Sequence, residues 1–150
     1  MAKLFEFEAD FVDSLRCIPM CVRCKLDTCG IKLRLSDWHQ MTPAERMNLV
    51  ELPCNTETEI QAYQGYLQRL IVARTGNPAK KLPVEPHSWL DCSTIPAGLQ
   101  EKAQEIGVTL TLQQWVALTP LERFALIKLS RPGHENQNFP RAMAEFHLKP

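Results

Sequence analysis

Apolar residues recur along this chain in two stretches that copy each other at an offset of 77 residues. Positions 18–52 align with 95–129 without a gap, and thirteen of the 35 pairs are identical. They include Pro19/Pro96, Gly30/Gly107, Leu33/Leu110, Leu35/Leu112, Trp38/Trp115, Thr42/Thr119, Pro43/Pro120, Glu45/Glu122 and Arg46/Arg123. Other pairs exchange one apolar residue for another: Val22/Leu99, Ile31/Val108, Met41/Leu118, Met47/Phe124 and Val50/Ile127. Two copies are too few for a solenoid. The pattern predicts an all-α fold of two helical modules, about 18–76 and 95–148, packed as one domain around a pseudo-twofold axis.

Within each copy the residue types set the helix ends. Pro19 and Pro96 suit the first position of a helix, where no backbone N–H is needed. That helix runs about ten residues to Gly30 or Gly107, each placed as a terminating glycine with positive φ. Leu33 and Leu35, like Leu110 and Leu112, are expected to enter the core from a short connector. A short helix carries the tryptophan. Thr42-Pro43-Ala44-Glu45 and Thr119-Pro120-Leu121-Glu122 then read as capping boxes with proline at the first helical position.

Outside the repeat, Thr56 and Glu59 have capping-box spacing. Ile60, Tyr63, Leu67, Leu70 and Ile71 follow on one helical face, and Gly76 stops the helix. Residues 77–89 carry Pro78, Pro83 and Pro86 and read as a linker. This divides a single domain of 1–150 into a first module of about 12–76 and a second of about 90–150. Phe139 to Leu148 form a last short helix after the turn at 131–136. Phe5 and Phe7, alternating with acids, suggest an extended segment as far as Asp10.

The 150 residues carry 17 Lys+Arg against 17 Asp+Glu. A neutral chain lacks the basic footprint of a general nucleic-acid binder. No apolar run is long enough for a membrane span, and Glu6 and Glu8 fall where a signal peptide needs an apolar core. The expected location is cytoplasmic, so the six cysteines are expected to be reduced.

Candidate chemistry is sparse. There is no phosphate-binding glycine loop, nucleophile elbow or His-Glu-x-x-His, and no catalytic residue is assigned. Cys17, Cys21, Cys24 and Cys29 form the sharpest constellation, the spacing of a Cys-ligated metal or iron–sulfur site. The repeat argues against it. Cys29 pairs with Ile106 and so takes a core position, whereas Cys21 and Cys24 pair with Gly98 and Glu101 and are expected to face away. On one helix Cys24 and Cys29 point about 140° apart. Trp38, Trp115, Glu45 and Glu122 read as anchors and caps, with Arg46 and Arg123 pairing with acids or covering apolar surface. Glu6, Glu8, Asp10 and Asp13 form an acidic start. Arg16, Arg23, Lys25, Lys32 and Arg34 follow as a basic run.

Several stretches taken together resemble the nitrate reductase-associated protein family of cyanobacteria. They are Phe5-Glu6-Phe7-Glu8 with Asp10-Phe11, Arg16-Cys17-Ile18-Pro19-Met20, Lys25 to Leu33, Leu82 to Pro86, and Phe124 to Asn136. The resemblance implies a non-catalytic accessory or maturation protein without a cofactor of its own. It implies one partner, the catalytic subunit of assimilatory nitrate reductase, a molybdenum and iron–sulfur enzyme, and neither nucleic acid nor membrane. It carries Cys17 and Cys29 across as family-like residues and places Cys21 and Cys24 at apolar or aromatic positions. Because the repeat accounts for both cores, partner contacts are expected where the modules differ or end: Arg16 and Cys17, and Arg131, His134, Glu135 and Asn136. One alternative is a small electron-transfer subunit with a metal on Cys17, Cys21, Cys24 and Cys29. Another is a small enzyme or carrier acting on the molybdenum cofactor, which would need a polar pocket.

Overall fold

The computed structural model describes residues 4–9, 15–82, 87–131 and 137–148. Among these the chain is all-helical. Eight α-helices occur: α1 Met20–Cys29, α2 Leu35–Gln40, α3 Pro43–Glu51, α4 Glu57–Thr75, α5 Ala97–Glu105, α6 Leu112–Ala117, α7 Pro120–Ser130 and α8 Phe139–Glu145. Short 3-10 turns stand at Glu6–Glu8 and Ser88–Leu90. The one extended pairing among the described residues is an isolated antiparallel bridge between Ile31 and Lys81. The chain divides into two compact units, Met1–Glu85 and Pro86–Pro150.

The repeat appears as local structure in both units. Helices α1, α2 and α3 start at residues 20, 35 and 43, and α5, α6 and α7 start 77 residues later in each case. Gly30 and Gly107 have φ of 71° and 79°, the left-handed region that closes the helices before them. Both Thr-Pro boxes form. Thr42 Oγ1 accepts from Glu45 N at 3.1 Å, while Glu45 Oε1 accepts from Thr42 N at 2.9 Å. The bonds between Thr119 and Glu122 have the same lengths. The two α-helices after these boxes end for one reason. Leu52 and Arg131 each precede a proline, whose ring disfavours the helical conformation, and both are extended. The intervening Pro53 arrives earlier than Pro132, so α3 is shorter than α7.

In the first unit α1 packs on α3 and α4. Helix α4 begins at the Thr56–Glu59 capping box and ends at Gly76, burying Tyr63, Leu67 and Ile71. In the second unit α7 is the central element, packed on α5, α8 and the turn at Ser88–Leu90. Its Phe124, Ala125, Leu126, Ile127 and Leu129 are all buried, so three sides of the helix are covered rather than one stripe.

Four local expectations change. Pro19 and Pro96 are not the first helical residues. They are the extended residues just before, and the Pro19 carbonyl accepts from Val22 and Arg23. Leu35 and Leu112 do not enter the core. The connector alternates while extended, burying Ile31 and, in the second unit, Val108 and Leu110. Helix then starts at Leu35 or Leu112 and turns that side chain to solvent, with 48% and 46% of its surface exposed. The amino-terminal segment is a 3-10 turn rather than a strand, because Glu8 bends back to Phe5. Residues 79–82 of the proline-rich stretch are also held by hydrogen bonds. Lys32 N donates to Lys80 O, Leu82 N donates to Gly30 O, and the Gln68 side-chain amide pairs with the backbone of Ala79.

Candidate functional site

The most structured polar arrangement is a clamp built once in each unit from a tryptophan and the arginine eight residues on. Trp38 and Trp115 are buried, and each satisfies its indole N–H on a backbone carbonyl. These carbonyls belong to Leu15 at 2.6 Å and Asp91 at 3.0 Å. The arginine guanidinium lies over the ring, 5.9 Å from the Trp38 centroid for Arg46 and 5.8 Å from Trp115 for Arg123. Its N–H groups donate to the last carbonyls of the short helix. Arg46 bonds Trp38 O at 3.0 Å and His39 O at 2.9 Å. Arg123 bonds Trp115 O at 3.3 Å and Leu118 O and Trp89 O at 2.6 Å each.

Neither arginine therefore seeks an acid. Each caps the carboxyl end of the preceding helix, where carbonyls have no partner within the helix and the dipole favours a cation. The five residues Thr-Pro-x-Glu-Arg cap the helix they begin with Thr and Glu, and the helix before with Arg. Glu45 adds a bond to Arg74 Nη2 at 2.6 Å, and Arg74 Nε reaches Gln40 O, which ties α4 to the junction in the first unit. These six residues, Trp38, Glu45, Arg46, Trp115, Glu122 and Arg123, each bond backbone groups of their own unit.

The cysteines lie in a different environment. Cys21, Cys29 and Cys54 are buried, Cys17 and Cys24 half-buried, and Cys92 exposed. Cys21 does not face away from the core. Its copy partner Gly98 lies open on α5, but α1 is covered by α4, and the Glu8 carboxylate reaches the start of α1 close by. Burial pushes the thiols of Cys21 and Cys54 up to about 11 and those of Cys24 and Cys29 to about 12. Among the described residues no three Cys, His, Asp or Glu side chains converge to hold a metal ion. The set Cys17, Cys21, Cys24 and Cys29 thus supplies no cluster ligands in this geometry.

These thiols are expected to resist alkylation. At pH 8 a group with pKa near 11 is deprotonated roughly once in a thousand molecules, before burial blocks the reagent. Iodoacetamide followed by peptide mass mapping should label Cys92 first, with Cys21, Cys24, Cys29 and Cys54 labelled only in denaturant. Fast native labelling of Cys24 would contradict this assignment.

Lys25 was read only as part of a basic run, and the structure gives it a specific task. Its Nζ donates to Val50 O and Leu52 O at 2.6 Å each, closing the end of α3. Partial burial pulls its pKa down from the usual lysine value. The identical residue in the other copy, Lys102, pairs with Glu105 instead. The sequence separates those two fates in two places: three residues on, Lys102 meets Glu105 where Lys25 meets Thr28, and Pro53 ends α3 where Lys25 can reach.

Of the expected partner-contact residues, Arg16 is exposed and Cys17 half-buried in the first unit, with His39 Nε2 2.7 Å from Arg16 O. Arg131 is exposed at the end of α7 in the second unit. His134, Glu135 and Asn136 lie outside the described residues.

Among the described residues no helix is long and apolar enough to cross a membrane. Comparison with curated proteins and with solved structures gives no match. Comparison with family models gives one that spans residues 4–146. It covers the amino-terminal turn, both clamps and the last helix alike. On that match the chain belongs to the conserved nitrate reductase-associated protein family.

Proposed function

We propose that this protein is a non-catalytic accessory or maturation factor that binds assimilatory nitrate reductase in the cytoplasm and supports its assembly, stability or activity. The observation that carries this reading is the family match across residues 4–146, whose description associates the family with nitrate reductase. The structure adds a consistent chemistry. The polar side chains that the repeat places inside each unit are spent on backbone caps, so binding falls to surface groups. The docking residues are Arg16, Cys17, Arg131, His134, Glu135 and Asn136, where the modules differ or end.

Arginine is enriched among residues that dominate interface energy, and a true hot spot costs about 2 kcal/mol or more on truncation. Arg131→Ala and His134→Ala are therefore each expected to weaken binding to the reductase by about 30-fold with little change in Tm. The measurement is a titration of each variant against purified reductase beside a thermal melt. Undiminished affinity in both variants, or absence of a complex with the wild-type chain, would defeat the proposal.

A further inference from the structure

The first unit holds a cavity of about 360 Å³ that the clamps and cysteines do not use. Lys32, Arg34 and Lys80 line it with Asp37, and Ile71 and Pro78 supply an apolar wall. Its shape is fixed by backbone pairing. Lys32 N donates to Lys80 O at 2.9 Å beside the Ile31–Lys81 bridge, which makes Lys32 and Lys80 directly opposed residues of an antiparallel pair. Such residues put their side chains on the same face.

Two like charges directly opposed across a pair are destabilising. Among the described residues neither ammonium has an acidic partner. The nearest carboxylate on the lining, Asp37, is engaged by the Arg34 fork, Nε to Oδ2 at 3.1 Å and Nη2 to Oδ1 at 3.0 Å. The Arg34 guanidinium beside Asp37 holds its carboxyl below the usual range, so it stays ionised. Three cations and one anion leave the lining with two net positive charges.

The other copy shows that the fold does not require this charge. At the matched positions the second unit has Thr109, Thr111 and Gln114. There Thr111 and Gln114 start α6 with an ordinary capping box of 2.9 and 3.1 Å bonds. The same helix start is therefore available without ions, and in the first unit the charged set lines a cavity.

We propose that this cavity binds a small phosphate monoester, its phosphate seated between Lys32 and Lys80 with Arg34 beside them, and its body against Ile71 and Pro78. A phosphate monoester carries close to two negative charges at neutral pH, which matches the lining. Charge-assisted bonds from lysine and arginine are the strong class for such an oxyanion. The volume lies within the range of small-molecule sites. The proposal stands independently of any complex with the reductase.

The test is calorimetric titration at low ionic strength with three probes: phenyl phosphate, inorganic phosphate and benzoate. Phenyl phosphate should bind most tightly, with benzoate at least about tenfold weaker because it brings one charge. Added salt should weaken phenyl phosphate binding. The double variant Lys32→Gln/Lys80→Gln should lose at least about tenfold in affinity, with Tm unchanged or raised as the like-charge pair disappears. Lys80→Gln alone, a change at an exposed side chain, gives the same reading if the double variant does not fold. Arg34→Thr with Asp37→Gln installs the second unit's cap and should keep helix content while weakening the probe. No binding of phenyl phosphate to the wild-type chain, equal binding of benzoate, or unchanged affinity in the lysine variants would overturn the proposal.

Discussion

Replacing Arg123 with Met is expected to lower stability by about 3–5 kcal/mol, while the same change at its copy partner Arg46 costs about 1–2 kcal/mol. The two arginines occupy matched positions and both bond the tryptophan carbonyl of matched helices. They differ in depth. Arg123 is 5% exposed and serves Trp89, Trp115 and Leu118, whereas Arg46 is half-buried and serves Trp38 and His39. Methionine keeps much of the stem's packing but leaves those carbonyls without a donor. Near Arg46 water can replace the lost bonds, and around Arg123 it cannot. Urea unfolding of both variants measures the difference directly. Equal losses would mean that the clamp acts through packing on the tryptophan rather than through the carbonyls. Arg123→Lys should recover only part of the loss, since an ammonium lacks the planar fork.

Glu8→Ala is expected to cost about 2–4 kcal/mol, more than a surface acid should. Glu8 is 1% exposed, and its two carboxylate oxygens accept from Phe5 N and from Met20 N, each at 3.1 Å. The second bond closes the amino end of α1, where Pro19 has no side-chain oxygen to offer and a negative charge suits the helix dipole. Alanine strands both N–H groups and frees Phe5 and Phe7, whose rings stack at 5.3 Å. Glu8→Gln retains one acceptor and should fall between wild type and Glu8→Ala. The readout is chemical denaturation with far-UV circular dichroism. A loss below 0.5 kcal/mol, at the level of an ordinary surface change, would return Glu8 to the acidic surface run.

The particular residues explain what could be read before the structure and what could not. Thr-Pro-x-Glu, Thr56 with Glu59, and Gly30, Gly76 and Gly107 act within four residues of themselves, so their local chemistry determines their geometry. Trp38 and Trp115 were legible as anchors because they occur twice. Glu8, Lys25 and the Lys32–Lys80 pair were not, since each meets its partner across 12 to 48 positions and no period marks it. Cys21 is buried although its copy partner Gly98 is open, because the second copy lacks the neighbours that cover Cys21. A repeat transmits capping and core pattern between its copies, and says nothing of elements that only one copy possesses.

The pairing of residues 30–32 with 80–82 also bears on how the first unit is made. Its hydrogen bonds join backbone about fifty residues apart, far beyond the local contacts of a helical bundle. A ribosome adding roughly 5–20 residues per second releases the second segment about 3–10 s after the first. Through that interval Ile31, fully buried in the finished unit, waits without the segment that pairs beside it. The segment that carries Ile31 thus stays open while α2, α3 and α4 are made, a window in which a chaperone would find it.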